Sequence, residues 1–448
     1  TSLTLQTPQE NPAYYAELGE MMQRAGFGVG WVRIYLNLDG TEADIAEDIR
    51  QAKLRLQYHK DLGIRPILQL NFKASSRPYD YKRIAQTGQK IARQFKGLAH
   101  AYGNWGIEQS NSASPYRGGG DKRITDQEYD SIMATFYDAI KSVDPDSLVL
   151  IGNIATDHDG KTVRRLYNSP GNGKFDGAII NAYMGPRLCI DVILSEFAKH
   201  GDNHKNIWYE EQSAQRSPFD GPARRYGEAE GAQNMVRTWL DLAGSYYPRL
   251  KAVTMWGFDV RGEQDIMMIT PTLQPRPQYV AHAVMSDTLA DATLEKNISV
   301  GDATVFKWKR TNDTLLTCWT QAGKRVVTFE APMGRIIVMD IMGNRKTIQA
   351  TNGVVPVTIS RDPIYILDSG DVQPSKRLTL HIDQVSLNAN QPQILLTVKN
   401  NAPTPMAVSV KMAGPVKEVD ASQKTVAAGG QIQLTYNVQG SLPMGKRT

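Results

Sequence analysis

The sequence contains little of what marks several common classes of protein. Only two of its 448 residues are cysteines, so the chain can form neither a multi-disulfide framework nor a four-thiolate zinc site. No run of about 18 consecutive apolar residues occurs, which excludes a membrane-spanning helix. The net charge is only +5, from 51 basic and 46 acidic residues, and so small an excess does not indicate nucleic-acid binding.

Signatures of metal and cofactor chemistry are also missing. The seven histidines show neither an HExxH motif nor paired spacing, and residues 157–160 lack the rest of a calcium-binding loop. Gly26, Gly28 and Gly30 precede a candidate strand, whereas the dinucleotide-binding fingerprint follows one. No GxSxG elbow is present to carry a Ser-His-Asp triad. We therefore predict no metal and no cofactor.

What is present is an ordinary globular composition, with 41% hydrophobic and 22% charged residues. At roughly 150 residues per domain, the length predicts two or three domains. Residues 1–6 have neither the basic nor the apolar segment of a signal peptide, so such a peptide is expected to be absent or already removed.

The first part of the chain, residues 1–289, alternates short aliphatic runs with amphipathic helical stretches. Helical spacing is clearest at Ile45, Ile49, Ala52 and Leu56, and a capping box opens a helix at Thr125. Eight β/α units in this length favour an α/β fold of the (β/α)8 (TIM) barrel type, with a doubly wound open sheet as the alternative. The candidate strands are residues 3–5, 30–36, 65–70, 98–107, 147–152, 175–181, 206–209 and 252–258.

The pattern changes after residue 289. Short alternating strands separated by glycine-containing turns predict a β-sandwich over residues 290–370. Residues 369–375 are typical of a linker, and the last segment, 371–448, is predicted to form a small immunoglobulin-like β module. The predicted organisation is thus a TIM barrel over 1–289 followed by two C-terminal β domains.

Acidic residues follow a tryptophan at the ends of the fourth and seventh candidate strands. Glu108 comes after Trp105, and Glu210 and Glu211 come after Trp208. The active site of a TIM barrel lies at the C-terminal ends of its strands, and two carboxyl groups there are what glycoside hydrolysis requires. A solvated or helix-capping acid is the alternative for each residue. Because adjacent strand residues face opposite ways, only one of Glu210 and Glu211 is expected to face a substrate.

These segments resemble clan A of the glycoside hydrolases, most closely the family 39 type of bacterial retaining β-glycosidase. Many members carry Trp-Asn-Glu-Pro-Asn on strand four and Trp-x-Thr-Glu on strand seven. The corresponding segments here are residues 105–111, Trp-Gly-Ile-Glu-Gln-Ser-Asn, and residues 208–211, Trp-Tyr-Glu-Glu. Residues 139–146, Ala-Ile-Lys-Ser-Val-Asp-Pro-Asp, also agree, and the resemblance extends over about residues 1–370.

The resemblance implies roles for individual residues. Glu108 matches the acid/base and Glu211 the nucleophile of a double displacement. Arg33 and Tyr183 match residues that steady the nucleophile, and Trp256 matches the platform under the reacting sugar. Trp105, Gln109 and Asn181 complete the predicted substrate contacts, since indole faces stack on sugar rings and amides bond hydroxyl groups.

Three positions depart from the family pattern. Ile107 stands where the clan has the asparagine that bonds the 2-hydroxyl of the substrate, Gln109 replaces the proline that follows the acid, and Asn181 replaces a histidine. The main prediction is a retaining hydrolase, endo-acting on β-glycosidic bonds of a polysaccharide or oligosaccharide. The alternative is a catalytically impaired barrel that binds carbohydrate.

A glycoside hydrolase is expected to bind a carbohydrate and not a nucleic acid or a membrane. The sequence does not predict the oligomeric state. Polymeric glycans are met outside the cytoplasm, and the start at Thr1 is typical of a mature, exported chain. A secreted or periplasmic bacterial protein whose signal peptide has been removed is therefore expected. Basic residues in the predicted rim loops are either balanced by neighbouring acids or bind an anionic glycan. They are Lys73, Arg77, Arg117, Lys122, Arg123, Arg187, Arg216, Arg224, Arg225 and Arg261.

Overall fold

The computed structural model places most of the chain, and its residues fall into two compact units. Unit 1 comprises Thr1–Arg325, Ile336–Ile348 and Ile359–Gly370, and unit 2 comprises Val326–Arg335, Gln349–Thr358 and Asp371–Thr448. The division into domains at residues 290 and 371 stays a prediction. The structure describes residues 11–37, 40–73, 79–104, 125–154, 159–169, 171–182, 185–212, 227–255, 268–270, 272–321, 323–370, 372–375, 378–386, 393–400, 405–408, 416–418 and 424–438.

Unit 1 is built around a parallel sheet in which the strands follow one another in chain order. Its described strands are β1 (Val29–Asn37), β2 (Arg65–Lys73), β3 (Ala101–Asn104), β4 (Leu148–Ile154), β5 (Gly177–Ile180), β6 (Asn206–Gln212) and β7 (Leu250–Met255). The indole N–H of Trp31 in β1 donates to the hydroxyl of Thr254 in β7 at 2.7 Å, which brings the first and last described strands together. The candidate strand at residues 3–5 lies outside the described residues.

Helices separate the strands of this sheet. They are α1 (Pro12–Arg24), α2 (Glu42–Asp61), α3 (Tyr81–Phe95), α4 (Asp126–Lys141), α5 (Lys161–Asn168), α6 (Pro186–Lys199), α7 (Glu228–Tyr246) and α8 (Pro277–Thr288). Capping boxes at Thr41 and Thr125 satisfy the first free N–H groups of α2 and α4. The one expected at Thr125 is therefore confirmed. No described helix is long and apolar enough to cross a membrane.

The chain after α8 is β-structure. A six-stranded sheet has the order β13-β12-β15-β10-β9-β8, and a three-stranded sheet has the order β14-β11-β16. These strands are β8 (Thr293–Asn297), β9 (Ala303–Lys309), β10 (Thr314–Thr320), β11 (Arg325–Glu330), β12 (Arg335–Asp340), β13 (Arg345–Gln349), β14 (Val354–Ile359), β15 (Ile364–Leu367) and β16 (Gln373–Pro374). The predicted fold class, a TIM barrel followed by β-sandwich structure, is confirmed.

The last part of unit 2 contains a four-stranded sheet of order β17-β18-β22-β20 and the hydrogen-bonded pair β19-β21. Its strands are β17 (Leu378–Ser386), β18 (Gln393–Asn400), β19 (Met406–Val408), β20 (Val416–Glu418), β21 (Lys424–Val426) and β22 (Gln431–Val438). Val398, Val426, Leu434 and Tyr436 form a small buried core there.

Within unit 1 the barrel helices and the six-stranded sheet share one apolar core. It joins Leu18 of α1 and Trp239 of α7 to Trp319 of β10 and Tyr365 of β15. Phe306 of β9 lies against Gly244 of α7, where a β-carbon would come within 2.2 Å of the phenyl ring. A glycine is therefore required at this point of α7, because any side chain would separate the helix from the sheet.

Two buried histidines make the stability of unit 1 sensitive to acid. His59 of α2 and His282 of α8 are fully buried, and desolvation lowers the pKa of each to about 4. The Nδ1–H of His282 donates to the carbonyl of Ala25 at 2.8 Å, and its ring stacks on Phe27 with centroids 4.4 Å apart. Both rings are accordingly neutral in the folded protein at pH 7.

We expect stability to fall as the pH drops from about 6.5, the pKa of an unfolded histidine, towards about 4. In that window the histidines of the unfolded chain are protonated while those of the folded chain stay neutral. Above it, the two histidines contribute fully to the stability of the folded state. Urea unfolding between pH 7.5 and pH 4.5 measures the slope. His282→Gln should flatten it, and replacing the exposed His204 by Gln should not. Equal slopes for wild type and His282→Gln would contradict the assignment.

Candidate active site

The interior of the barrel contains a buried apolar layer. Its six buried members come from six successive strands and pack together as one cluster. They are Trp31, Ile67, Ala101, Leu150, Ile179 and Trp208. This layer closes the barrel beneath any site at the C-terminal ends of the strands.

Two residues further along each strand, the character of the positions changes from apolar to polar or small. Because side chains repeat with a period of two in a strand, these positions form the next level towards the C-terminal ends. Those whose surroundings the structure describes are Gln69, Gly103, Gly152, Asn181, Glu210 and Thr254. Polar residues therefore concentrate where a TIM barrel carries its chemistry.

Glu210 and Gln69 meet inside this level. The side-chain amide of Gln69 in β2 donates to Oε1 of Glu210 in β6. Gln69 is fully buried and Glu210 is 2% exposed, so neither group is left to water. A buried carboxyl group without such a partner would carry a large desolvation cost.

Thr254 holds the main chain of the same residue. Its hydroxyl donates to the carbonyl oxygen of Glu210, lies 3.3 Å from that of Tyr209, and accepts from the indole of Trp31. The chain of contacts runs from β1 through β7 to β6. These contacts hold the main chain near the end of β6 in place.

The end of β6 is irregular. Tyr209 pairs with Val253 and Gln212 pairs with Met255, so three steps along β6 face two steps along β7. A step of three residues against two is the pattern of a β-bulge, and such bulges re-aim side chains and are common beside active sites. Glu211 lies within the bulge. The expectation from the sequence assumed that side chains alternate strictly along the strand, and at this irregular position that alternation does not decide which of Glu210 and Glu211 faces a substrate.

The predicted site residues differ in what the structure describes of them. Asn181 follows β5, is 4% exposed, and its N–H donates to the carbonyl of Ile154 at 2.9 Å. For Arg33 and Glu211 the backbone is described and the side chain is not, and Arg33 pairs in register with Gln69. Glu108, Trp105, Gln109, Tyr183 and Trp256 lie outside the described residues.

Gln69 and Thr254 were not predicted from the sequence. The available signal was a glutamine in the middle of the otherwise apolar run Ile67-Leu68-Gln69-Leu70, since a polar residue at a buried strand position needs a partner. Its significance depends on which face of β2 lines the barrel. That face is known only once the register with β1 and β3 is known.

One of the basic residues predicted to line the rim has a structural partner. Nε of Arg187 donates at 2.7 Å to Asp241, whose side chain is 1% exposed, and a second guanidinium nitrogen contacts the same carboxylate. The guanidinium also donates to the hydroxyl of Ser245 at 2.9 Å. Arg187 therefore joins α6 to α7. The side chains of the other nine basic residues are outside the described part.

Solved structures with a similar fold include glycoside hydrolases. A family 39 glycoside hydrolase from Bacteroides cellulosilyticus WH2 gives a TM-score of 0.62 at 17% identity, over 82% of this chain and 80% of that one. A glucosidase from Croceicoccus marinus gives 0.56 at 12% identity, over 82% and 94%. A family 30 subfamily 8 xylanase from Clostridium acetobutylicum gives 0.51 at 10% identity, over 81% and 92%.

The fold is therefore that of the clan A barrels, which confirms the resemblance indicated by the sequence. More particularly, it is similar to the barrels of families 39 and 30. At these identities the likeness establishes the fold alone. No family model matches the chain, and no curated protein matches it.

Proposed function

We propose that the protein is a retaining glycoside hydrolase that cleaves β-glycosidic bonds within a polysaccharide or oligosaccharide. The observation that carries the proposal is the bulged end of β6, which brings Glu211 to the C-terminal end of a barrel strand directly after the buried polar level. The clan A fold supports the proposal. The resemblance in sequence implies that Glu211, at this strand end, is the nucleophile.

The proposed reaction is a double displacement. Glu211 attacks the anomeric carbon while Glu108 gives its proton to the leaving glycosidic oxygen, and a glycosyl ester forms on Glu211. Glu108 then takes a proton from water, the water oxygen attacks the anomeric carbon, and Glu211 leaves as a carboxylate. A carboxyl separation of about 5–5.5 Å is expected for this chemistry.

The other predicted residues hold the reactants. Arg33 and Tyr183 steady Glu211, and an adjacent guanidinium favours the ionised form of a carboxylate. Trp256 and Trp105 stack on the apolar faces of sugar rings, whereas Asn181 and Gln109 bond hydroxyl groups. We propose that the substrate is met outside the cytoplasm, as polymeric glycans are.

The stereochemistry of the product tests this function. A panel of neutral and acidic polysaccharides and aryl β-glycosides identifies a substrate, and proton NMR then follows the anomer formed first. We expect the β-anomer, because two inversions retain configuration. Initial formation of the α-anomer would contradict a retaining mechanism.

Two further arms of the same panel separate the alternatives. Binding of a glycan without turnover would favour the impaired carbohydrate-binding barrel, for which Ile107 at the clan asparagine position is the specific observation. Cleavage of acidic polymers that weakens steeply as salt rises would favour an anionic substrate held by rim arginines, because exposed charge pairs are screened beyond about 8–10 Å. Equal rates on neutral and acidic polymers, insensitive to salt, would discard the anionic substrate.

A further inference from the structure

We infer that the Gln69–Glu210 pair fixes the end of β6 beneath the reaction centre, so that Glu210 is a positioning residue for Glu211 and not itself the nucleophile. The inference rests on the proposed function. Neither Gln69 nor Glu210 has a role in the family pattern considered above, where the position of Glu210 is occupied by threonine.

The first support is where the hydrogen bond runs. β2 and β6 are four strands apart in a sheet whose order is β1 to β7, so the bond between Gln69 and Glu210 crosses the interior and does not follow the ladder. Both side chains are almost completely buried. A nucleophile has to reach a sugar, whereas a carboxyl group 2% exposed and held by an amide is placed to orient its strand.

The second support is that Glu210 is held at two points. Gln69 binds its carboxyl group and Thr254 binds its carbonyl oxygen. The neighbouring Tyr209 belongs to the core between barrel and helices, and its hydroxyl donates to the carbonyl of Ala182 at 2.7 Å. The two residues before Glu211 are thus anchored on opposite faces of β6.

The third support is the bulge. An extra residue in β6 removes ladder contacts from this stretch, so the backbone there depends on side-chain contacts to keep one geometry. Glu211 is the next residue after the anchored Glu210. A displacement of about 1 Å in a reacting group costs about 10²-fold in rate, which sets the expected size of the effect.

The test uses single and exchanged variants of the pair in the full-length protein, with the best substrate from the panel. Gln69→Leu and Glu210→Leu should each lower kcat by about 10²-fold and change KM by less than about threefold. The double variant Gln69→Glu/Glu210→Gln keeps one amide and one carboxyl group in contact but exchanges their strands. It should recover kcat to within about tenfold of wild type.

A matched control separates positioning from folding. Asp130 of α4 is 2% exposed and accepts from Arg165 at 3.1 Å, so this polar pair of the barrel has a buried carboxylate and a partly exposed arginine. Asp130→Asn should lower the melting temperature and leave kcat unchanged for the folded protein at 25 °C. An equal loss of kcat in Asp130→Asn and Glu210→Leu would overturn the inference, since the loss would then follow stability alone.

Failure of the positioning role can be told apart from failure of the proposed function. If Gln69→Glu/Glu210→Gln is inactive while Glu211→Gln is active, Glu210 is the nucleophile. If Gln69→Leu and Glu210→Leu both keep full kcat, the pair has no positioning role. If wild type hydrolyses nothing, the proposed function fails. The tie between β2 and β6 is then still tested by melting temperatures, which should be non-additive for Gln69→Leu and Glu210→Leu, and additive values would overturn it.

Discussion

Replacing Glu211 with glutamine is expected to lower kcat by at least about four orders of magnitude while the protein stays folded. Glutamine has the size of glutamate but cannot form the glycosyl ester, so both steps of the displacement lose their covalent intermediate. The prediction is checked by measuring the turnover of an aryl β-glycoside by purified Glu211→Gln together with the melting temperature of this variant. A loss of the fold together with activity would show a structural role instead.

Three further variants separate a catalytic role of Glu211 from other causes of lost activity. Glu108→Gln should lose about 10²–10⁴-fold on polymers and less on aryl glycosides with good leaving groups, because those leave without a proton. Glu17→Gln, on the exposed side of α1, should behave as wild type. Turnover retained in Glu211→Gln and lost in Glu210→Gln would contradict the assignment of the nucleophile.

Replacing Phe306 with alanine is expected to lower the free energy of unfolding of unit 1 by about 3–5 kcal/mol. Phe306 is 2% exposed, makes T-shaped ring contacts with Trp308 and Trp319, and lies against Gly244. Its removal leaves a cavity in the core that joins α7 to the six-stranded sheet. Urea unfolding followed by tryptophan fluorescence measures the change.

The control for Phe306 is an exposed apolar side chain, which belongs to unit 2. Val326 at the start of β11 is 67% exposed, and Val326→Ala should change stability by no more than about 0.5 kcal/mol. If Phe306→Ala were as mild as Val326→Ala, barrel and sheet would not depend on a shared core. Activity lost in Phe306→Ala at 25 °C should return when the folded fraction is restored by cooling.

The elements with strong periodicity were predictable from the sequence. The strands at residues 30–36, 65–70 and 206–209 are found within β1, β2 and β6, because their apolar runs record burial on both faces of a parallel sheet. Strands β8 and β13 were not predicted. Their sequences, Thr-Leu-Glu-Lys-Asn and Arg-Lys-Thr-Ile-Gln, are largely exposed and polar, as expected of strands at the edges of a sheet.

The candidate site was predictable only in part, because it depends on pairing between strands. The prediction ended the seventh candidate strand at residue 209, whereas β6 continues to Gln212 through a bulge that exists only relative to β7. The same holds for Arg187. Its place after β5 indicated a rim residue, but a buried aspartate 54 residues later in the sequence is its partner.

The proposed chemistry is tested most directly by trapping the intermediate. The probe is a 2-deoxy-2-fluoro glycoside of the sugar that wild type hydrolyses, with a good leaving group. Fluorine at C2 slows both steps because it disfavours their oxocarbenium-like transition states, whereas the good leaving group speeds only the first step. The glycosyl ester therefore forms faster than water removes it. Intact-mass analysis and peptide mapping then locate the ester. We expect one sugar on Glu211. A sugar on Glu210, or no adduct with a substrate that is turned over, would contradict Glu211 as the nucleophile.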